Sequence, residues 1–407
     1  MFKIFNQYKG LRKELYVLFF GRTVTSLGAM INPLLTLILS SKLHFDAASI
    51  ALLLLFFSLV GLPATYFAGY LADRYNKRNL IIVFDLITVV CYVACGFVPL
   101  GTTSIRLIFV GSLFATMEHP IYDALVADLS STENREVAFS LNYLGMNLGF
   151  VLAPTLGGLL FENYLHIAFI ISGLATLSST ILIYLMIKDV SRSQSDHDIY
   201  ENSDEQGVWE FLSTKKIILF YILCTTIIRV TYGQSHFLLP LNLEKIHGGD
   251  TGALVYGTLN SMNAFIVTIG TPIITILATR IKDVSKLMMG QFLIMISYLF
   301  FVFNHNIVSL YYIHMMIFTM GEIVETLGSQ PYLTRRIPAR LRGRISSIVR
   351  LVPTICLSFS QYIVGYCIDH YEITYIWIGI VIFAGIGILL LYVLKTRDKK
   401  EYPLLYK

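Results

Sequence analysis

Apolar runs of about twenty residues recur from one end of the chain to the other, separated by short polar and mostly basic segments. A helix needs about 20 mostly apolar residues to cross a hydrocarbon core about 30 Å thick. The runs therefore predict membrane-spanning helices over 15–39, 48–71, 79–99, 104–127, 138–161 and 164–187. A second set follows over 217–242, 252–279, 286–304, 307–331, 344–368 and 373–394. Ten-residue stretches of alternating polarity, the pattern of a membrane β-barrel, are missing. The expected fold is an all-α membrane protein of twelve transmembrane helices in two six-helix bundles.

The one long polar segment, 188–216, falls between the two sets. Ser191–Gln206 mixes Ser, Asp, Glu, Gln and Asn with almost no apolar residue, which predicts a flexible cytoplasmic linker. Trp209–Leu212 is expected to lie amphipathically on the membrane ahead of the seventh span. The linker separates an N-terminal bundle, 1–187, from a C-terminal bundle, 217–407, that ends in a short cytoplasmic tail. Each half places a basic turn between its second and third spans, Asp73–Arg78 and Arg280–Lys286. This weak internal symmetry suits the two-bundle plan of many carriers, with a site near the membrane midplane.

Charge sets the orientation. With the N-terminus inside, 25 of the 31 Lys and Arg residues fall in inside segments. Only Lys42, Arg106 and Lys245 fall outside, and Arg22, Arg229 and Arg350 lie within spans. Cytoplasmic segments are the lysine- and arginine-rich ones, so both termini are expected in the cytoplasm and the number of spans is even. The net charge of +5 is thus a topological pattern and no nucleic-acid footprint. Only 14% of residues are charged and the mean hydropathy is +0.67, against about 25% charged in soluble domains. A globule so poor in charge could not cover its own surface, so lipid is the expected solvent. Residues 1–14 are short, polar and basic, and the apolar run behind them outlasts a signal h-region, so it is expected to remain as a helix. Cys91, Cys95, Cys224, Cys356 and Cys367 all lie in apolar runs without metal-ligand or disulfide spacing, and read as small core hydrophobes. No metal or cofactor is expected. Nor does the chain hold a P-loop, an H-E-x-x-H or a nucleophile elbow, which argues against ATP-driven pumping and against an enzyme.

Three local patterns carry chemistry. The first is Gly69-Tyr-Leu-Ala-Asp73-Arg74-Tyr-Asn-Lys77-Arg78, which closely resembles the G-x-L-a-D-R-x-G-R-K loop between helices two and three of the major facilitator superfamily. Gly69 is expected to let helices approach closely, and Asn76, in place of the usual glycine, to adopt the left-handed conformation of a tight turn. In that family the loop acts as a gate latch, and the resemblance makes Asp128 and Arg135 its partners. The second is Asn147-Leu-Gly149-Phe-Val-Leu-Ala153-Pro154-Thr-Leu-Gly157-Gly158, which resembles the antiporter motif of drug:proton exporters with Ala153 replacing one glycine. Small residues at this spacing permit close helix contact, and Pro154 removes a backbone donor and bends the span. Packing alone also accounts for the run. The third is Thr319-Met-Gly321-Glu322-Ile-Val-Glu325, similar to the tenth helix of lactococcal-type multidrug exporters, whose glutamate there is linked to protons and cationic drugs. That branch has an acidic residue at the start of span five where this chain has Asn142.

A charge near the bilayer centre costs roughly 2.5–3.5 kcal/mol on insertion scales, so each one needs a reason. Glu322 and Glu325 are three apart and share a helical face. Two carboxylates in one low-dielectric cavity do not both ionise easily, so one can carry a proton that an incoming cation expels. Glu118 and Asp123 are the further proton-coupling candidates. Arg22 and Arg229, on equivalent spans of the two halves, either line the cavity or form structural ion pairs. Asn142, Tyr143, Asn147, Tyr232 and His236 complete the candidate substrate cavity, with aromatic rings suited to cations. Asp85 is expected to pair with loop arginines near the inside face, Arg350 to snorkel, and His314 to pack.

The resemblance implies a monomeric bacterial plasma-membrane carrier whose partners are protons, a small-molecule substrate and the lipid bilayer. Its leading reading is proton-coupled export of small amphipathic or cationic compounds. Proton-coupled peptide uptake is an alternative, although Gly21-Arg22-Thr23-Val24-Thr25 lacks the E-x-x-E-R motif of peptide symporters. A membrane sensor that kept the carrier fold is a third.

Overall fold

With no water in a bilayer core, every backbone N–H and C=O must be satisfied within its own segment, which leaves the helix as the form for these apolar runs. The computed structural model describes residues 8–130, 134–187, 208–303, 306–337 and 339–406, and among them there is no strand. The first half contains α1 (Lys13–Gly28), α2 (Ile31–Leu37) running into a π turn (Ile38–Lys42), α3 (Ala47–Arg74), α4 (Lys77–Cys95) and α5 (Thr102–Leu129). It continues with α6 (Arg135–Phe150), α7 (Ala153–Leu160) and α8 (Leu165–Met186). The second half contains α9 (Val208–Thr214), α10 (Lys216–His247), α11 (Gly249–Leu277), α12 (Asp283–Phe303), α13 (Val308–Arg336), α14 (Ala339–His370) and α15 (Ile373–Glu401). Ten helical segments among the described residues are long and apolar enough to cross a membrane. Helices α5 and α13 are as long, at 28 and 29 residues, and carry three carboxylates (Glu118, Asp123, Asp128) and two (Glu322, Glu325) along their lengths.

The chain forms two compact units, Met1–His44 with Phe56–Ile199 and Gly248–Phe265, and Phe45–Leu55 with Tyr200–His247 and Ile266–Lys407. In the first unit, Leu15, Leu18, Ile81, Phe84, Ile121 and Leu125 form the core that joins α1, α4 and α5. In the second, Ile218, Tyr221, Cys224, Leu287, Tyr332 and Leu391 do the same for α10, α12, α13 and α15.

Two predicted spans are interrupted. The first breaks at Ala29, whose ψ of 53° leaves the helical region. The fifth breaks at Val151–Leu152, and Pro154 sits in the first turn of α7, where its missing N–H costs no hydrogen bond. Small residues around this break bring backbones together. A Cβ at Gly149 would lie 2.6 Å from the Leu27 nitrogen and 2.7 Å from Ser26 Cβ on α1. One at Gly158 would lie 2.7 Å from the Ala253 carbonyl oxygen on α11. Beside it, Thr155 Oγ1 and Ser261 Oγ share a hydrogen bond of 2.7 Å. Gly149→Val is therefore expected to cost roughly 1–3 kcal/mol through overpacking, seen as a lower thermal midpoint of the detergent-solubilised protein.

Several sequence expectations are corrected. Gly69 makes no close approach among the described residues, where nothing lies within 4 Å of a Cβ, and Gly69→Ala should leave the same midpoint unchanged or higher. Asn76 is extended (φ −64°, ψ 117°), and its side chain caps α4 by accepting from the Asn79 amide, so the turn needs no left-handed residue. Phe211 and Leu212 are buried in the second core rather than laid on lipid. Residues 188–207 of the predicted linker lie outside the described residues. Of the cysteines, Cys91, Cys95 and Cys224 are buried, and all five are free thiols.

Helix α15 runs past the predicted end at 394, because its last turns have partners. Asp398, completely buried, accepts from Arg336 Nε at 2.7 Å and Nη2 at 2.5 Å. It also accepts from Tyr332 Oη at 3.3 Å and from Tyr406 Oη, beyond the helix, at 2.7 Å. Burial and this bond to Asp398 push the Tyr406 hydroxyl up from its ordinary value, so it remains a donor. Asp283 at the start of α12 takes both Arg335 (3.0 Å) and Arg336 (3.5 Å). Arginines that read as loop charges thus bind the ends of α12, α13 and α15 together.

Candidate functional site

Each unit holds a polar cavity among its helices. The first, of about 260 Å³, is lined by Arg22, Asp85, Glu118 and His119 with Met146 and Phe150. Arg22 comes from α1, Asp85 from α4 and the next pair from α5. Arg22 Nη1 donates to Glu118 Oε2 at 3.1 Å, and both side chains are less than a tenth exposed. The guanidinium also contacts His119 Nδ1 and lies 4.9 Å from the centre of the Tyr122 ring. Pairing matters because an uncompensated buried charge costs several kcal/mol, and Arg22 and Glu118 compensate each other here. Arg22 therefore forms an ion pair and lines the cavity at once. Asp85 does not pair with loop arginines, as its position suggested; it is buried, accepts from Thr180 Oγ1 at 2.8 Å, and faces the same cavity.

The second cavity, of about 430 Å³, is lined by Arg229 and Tyr232 from α10, Glu322 and Glu325 from α13, and Arg350 and Thr354 from α14. The one-turn spacing of the two glutamates does place both on the cavity wall. Tyr232 Oη donates to Glu322 Oε1 at 2.9 Å. Glu325 has no hydrogen-bond partner among the described residues. Glu325 sits where α13 packs closely on α12, its Cβ 2.7 Å from the position a Cβ would take at Gly290. Arg350, which read as a snorkelling residue, faces this cavity instead. Arg229 stands 5.6 Å from the Tyr232 ring centre. A cavity of this volume is within the range of about 300–1,000 Å³ typical of small-molecule sites.

The remaining candidates are dispersed. Asp123 is exposed, more than a turn beyond Glu118, and does not line the first cavity. On α6 it is Met146 and Phe150 that face that cavity; Tyr143 is exposed and Asn147 donates back to the Tyr143 carbonyl at 2.8 Å. Asn142 Oδ1 is buried without a partner among the described residues. His236 lies beside Tyr232, ring centres 5.3 Å apart, and is not part of the cavity lining. His314 is packed among Tyr298, Phe301 and Phe318, its Nδ1–H donating to the Ser297 carbonyl at 3.1 Å.

At the end of α3, Lys77 pairs with Asp128 at 2.6 Å, joining α4 to α5. Arg78 Nη2 donates to the Tyr184 carbonyl at 2.5 Å and ties α4 to α8. Arg74 stacks on Tyr70 of its own helix at 4.2 Å. The side chains of Asp73 and Arg135 lie outside the described residues. In the antiporter-like run, Ala153 and Pro154 are buried, and Gly149, Gly157 and Gly158 sit against the backbones of α1, the Met30 turn and α11.

Sequence reasoning undervalued Asp85 and Arg350 as cavity residues. The signal was present, since both are charges inside apolar spans, but pattern alone does not tell which neighbour a face meets.

The sequence matches the Major Facilitator Superfamily family model over residues 18–360. The uncharacterized MFS-type transporter YqjV of Bacillus subtilis is 25% identical over 86% of this chain and 84% of its own length. A Na(+), Li(+), K(+)/H(+) antiporter of Planococcus maritimus is 21% identical over 80% and 82%. Among solved structures, a POT family transporter in complex with a thioalcohol-conjugated peptide superposes with a TM-score of 0.76 at 12% identity, covering 98% of this chain and 100% of the other. That likeness concerns the fold alone.

Proposed function

The chain belongs to the major facilitator superfamily and is a membrane transporter, and from that premise we propose that it is a proton-coupled exporter of small amphipathic or cationic compounds. In this reading twelve helices cross the bacterial plasma membrane with both termini in the cytoplasm. Two six-helix bundles, joined by the segment 188–216, rock about the substrate as a monomer.

The observation that carries the reading is the pair Glu322 and Glu325, one helical turn apart on the wall of a cavity large enough for a small molecule. A carboxylate pair in a desolvated cavity binds one proton in place of the second negative charge. A cationic group entering the cavity supplies the same compensation and expels the proton. Proton and substrate then compete for one site, and competition is sufficient for exchange. The antiporter named among the relatives, and the run from Gly149 to Gly158, favour exchange over uptake. One proton moving through ~100 mV supplies about 2.3 kcal/mol, enough for a substrate gradient of roughly fifty-fold.

The test is transport by the purified chain in proteoliposomes. An inwardly acidic pH gradient should drive accumulation of a fluorescent amphipathic compound that carries an ammonium group, and substrate addition should release protons measurably from the lumen. Accumulation that instead follows protons down their gradient, in the same direction, would replace export by symport.

A further inference from the structure

Arg229 and Arg350 line the same cavity as the two glutamates, from α10 and α14, yet neither guanidinium has an ion-pair or hydrogen-bond partner among the described residues. Both side chains are exposed to the cavity, whereas the buried arginines are matched. Arg22 holds Glu118 at 3.1 Å, and Arg336 holds Asp398 through two nitrogens. Guanidinium stays charged at all relevant pH, so its donors are a standing demand for an acceptor, unlike those of a lysine that can shed its proton. Glu325 acts on Arg229 through charge, but no group among the described residues gives either guanidinium a hydrogen bond. The Tyr232 hydroxyl is committed to Glu322, and the tyrosine offers Arg229 only its ring, at 5.6 Å.

We infer that the cavity takes a zwitterionic amphiphile: Arg229 and Arg350 hold its carboxylate while its ammonium group meets Glu322 and Glu325. The inference rests on the exporter reading above and narrows its substrate class. Planar guanidinium forks match carboxylates in bidentate fashion and give short, charge-assisted hydrogen bonds. The ammonium end is the part that displaces the proton, so competition with protons is kept. The carboxylate end adds selection, since a site with charged donors rejects a ligand that leaves them unmatched. A simple cation would occupy the glutamate face and leave the donors of Arg229 and Arg350 without an acceptor on the ligand. The Tyr232 and Tyr221 rings and Pro353 supply apolar wall for the body of the molecule.

The experiment uses the full chain in detergent and in proteoliposomes with three probes: a fluorescent aromatic amino acid with separated amine and carboxylate, its methyl ester, and its N-acetyl derivative. The zwitterion should bind about tenfold or more tighter than the ester, the scale of one lost charge-assisted contact. The N-acetyl compound should bind without releasing protons. Arg229→Gln and Arg350→Gln should each weaken the zwitterion about tenfold and leave the ester within about twofold, and Arg→Lys should restore part of the loss. Equal binding of zwitterion and ester to the unmodified chain would overturn the inference without recourse to any variant. So would arginine variants that weaken both probes alike. If the ester is exchanged for protons as well as the zwitterion, the substrate class fails and proton-coupled export stands. Should the zwitterion bind selectively while no probe responds to a pH gradient, the exporter reading fails and the arginine site stands.

Discussion

Glu322→Gln is expected to collapse a roughly fifty-fold, proton-driven substrate gradient to equality across the membrane while leaving the protein folded. The amide matches the carboxylate in shape, and its oxygen still accepts from Tyr232 Oη, which now bonds Glu322 Oε1 at 2.9 Å. What disappears is the titrating group. Transport without a pH gradient, measured as exchange of labelled for unlabelled substrate, should therefore persist, since it needs the cavity but not the proton. Glu325→Gln separates the two roles. Glu325 has no hydrogen bond among the described residues, so its replacement removes charge and little else. If the pair shares one proton, either single variant and the double variant should lose coupling to the same extent, the non-additivity expected of groups that act as a unit. Pivotal evidence against the assignment would be unimpaired pH-driven accumulation by Glu322→Gln in proteoliposomes.

Much of the architecture could be read from the chain because membrane helices satisfy their own backbones. An apolar run of about twenty residues has few other options in lipid, so the stretches around 79–99, 164–187 and 286–304 become α4, α8 and α12 with ends shifted by a few residues. The one-turn spacing of Glu322 and Glu325 was legible for the same reason: a helix fixes which of its residues share a face. Which helix lies opposite that face is a tertiary fact. Arg22 and Glu118 are 96 positions apart, and Arg336 and Asp398 are 62 apart, and no periodicity within either segment announces those pairs. Asp85 illustrates the difference. Its depth in α4 was clear, but whether it looked to the loop or to Thr180 depended on how α4 packs on α8. Asn76 failed in another way, since the residue type fits both a left-handed turn and a helix cap, and the cap won.

Asp398→Asn should be among the most destabilising single changes in the molecule, at about 3–5 kcal/mol, because it leaves a buried guanidinium with only the longer, 3.5 Å contact to Asp283. Both partners are almost completely buried, and Arg336 meets Asp398 through Nε and Nη2 together. The carboxylate also anchors Tyr332 and Tyr406, so its loss should free the end of α15 and the turn at Pro403–Tyr406 along with it. Lys215 and Glu401, close by in sequence to the same helix ends, make the control. Their ion pair of 3.2 Å is more than a third exposed on each side, and Lys215→Ala should cost less than about 1 kcal/mol. Removing both buried charges, as Arg336→Met with Asp398→Leu, should recover part of the loss, since the penalty lies in the stranded charge more than in the missing attraction. Recovery should stop short of complete, because the Tyr332 and Tyr406 hydroxyls lose an acceptor, while Asp283 still has Arg335 at 3.0 Å. Thermal midpoints of the four proteins in detergent form a double-mutant cycle that reads the coupling directly. Additive losses from Arg336→Met and Asp398→Leu would mean that the two side chains, though in contact, stabilise the ends of α13 and α15 independently.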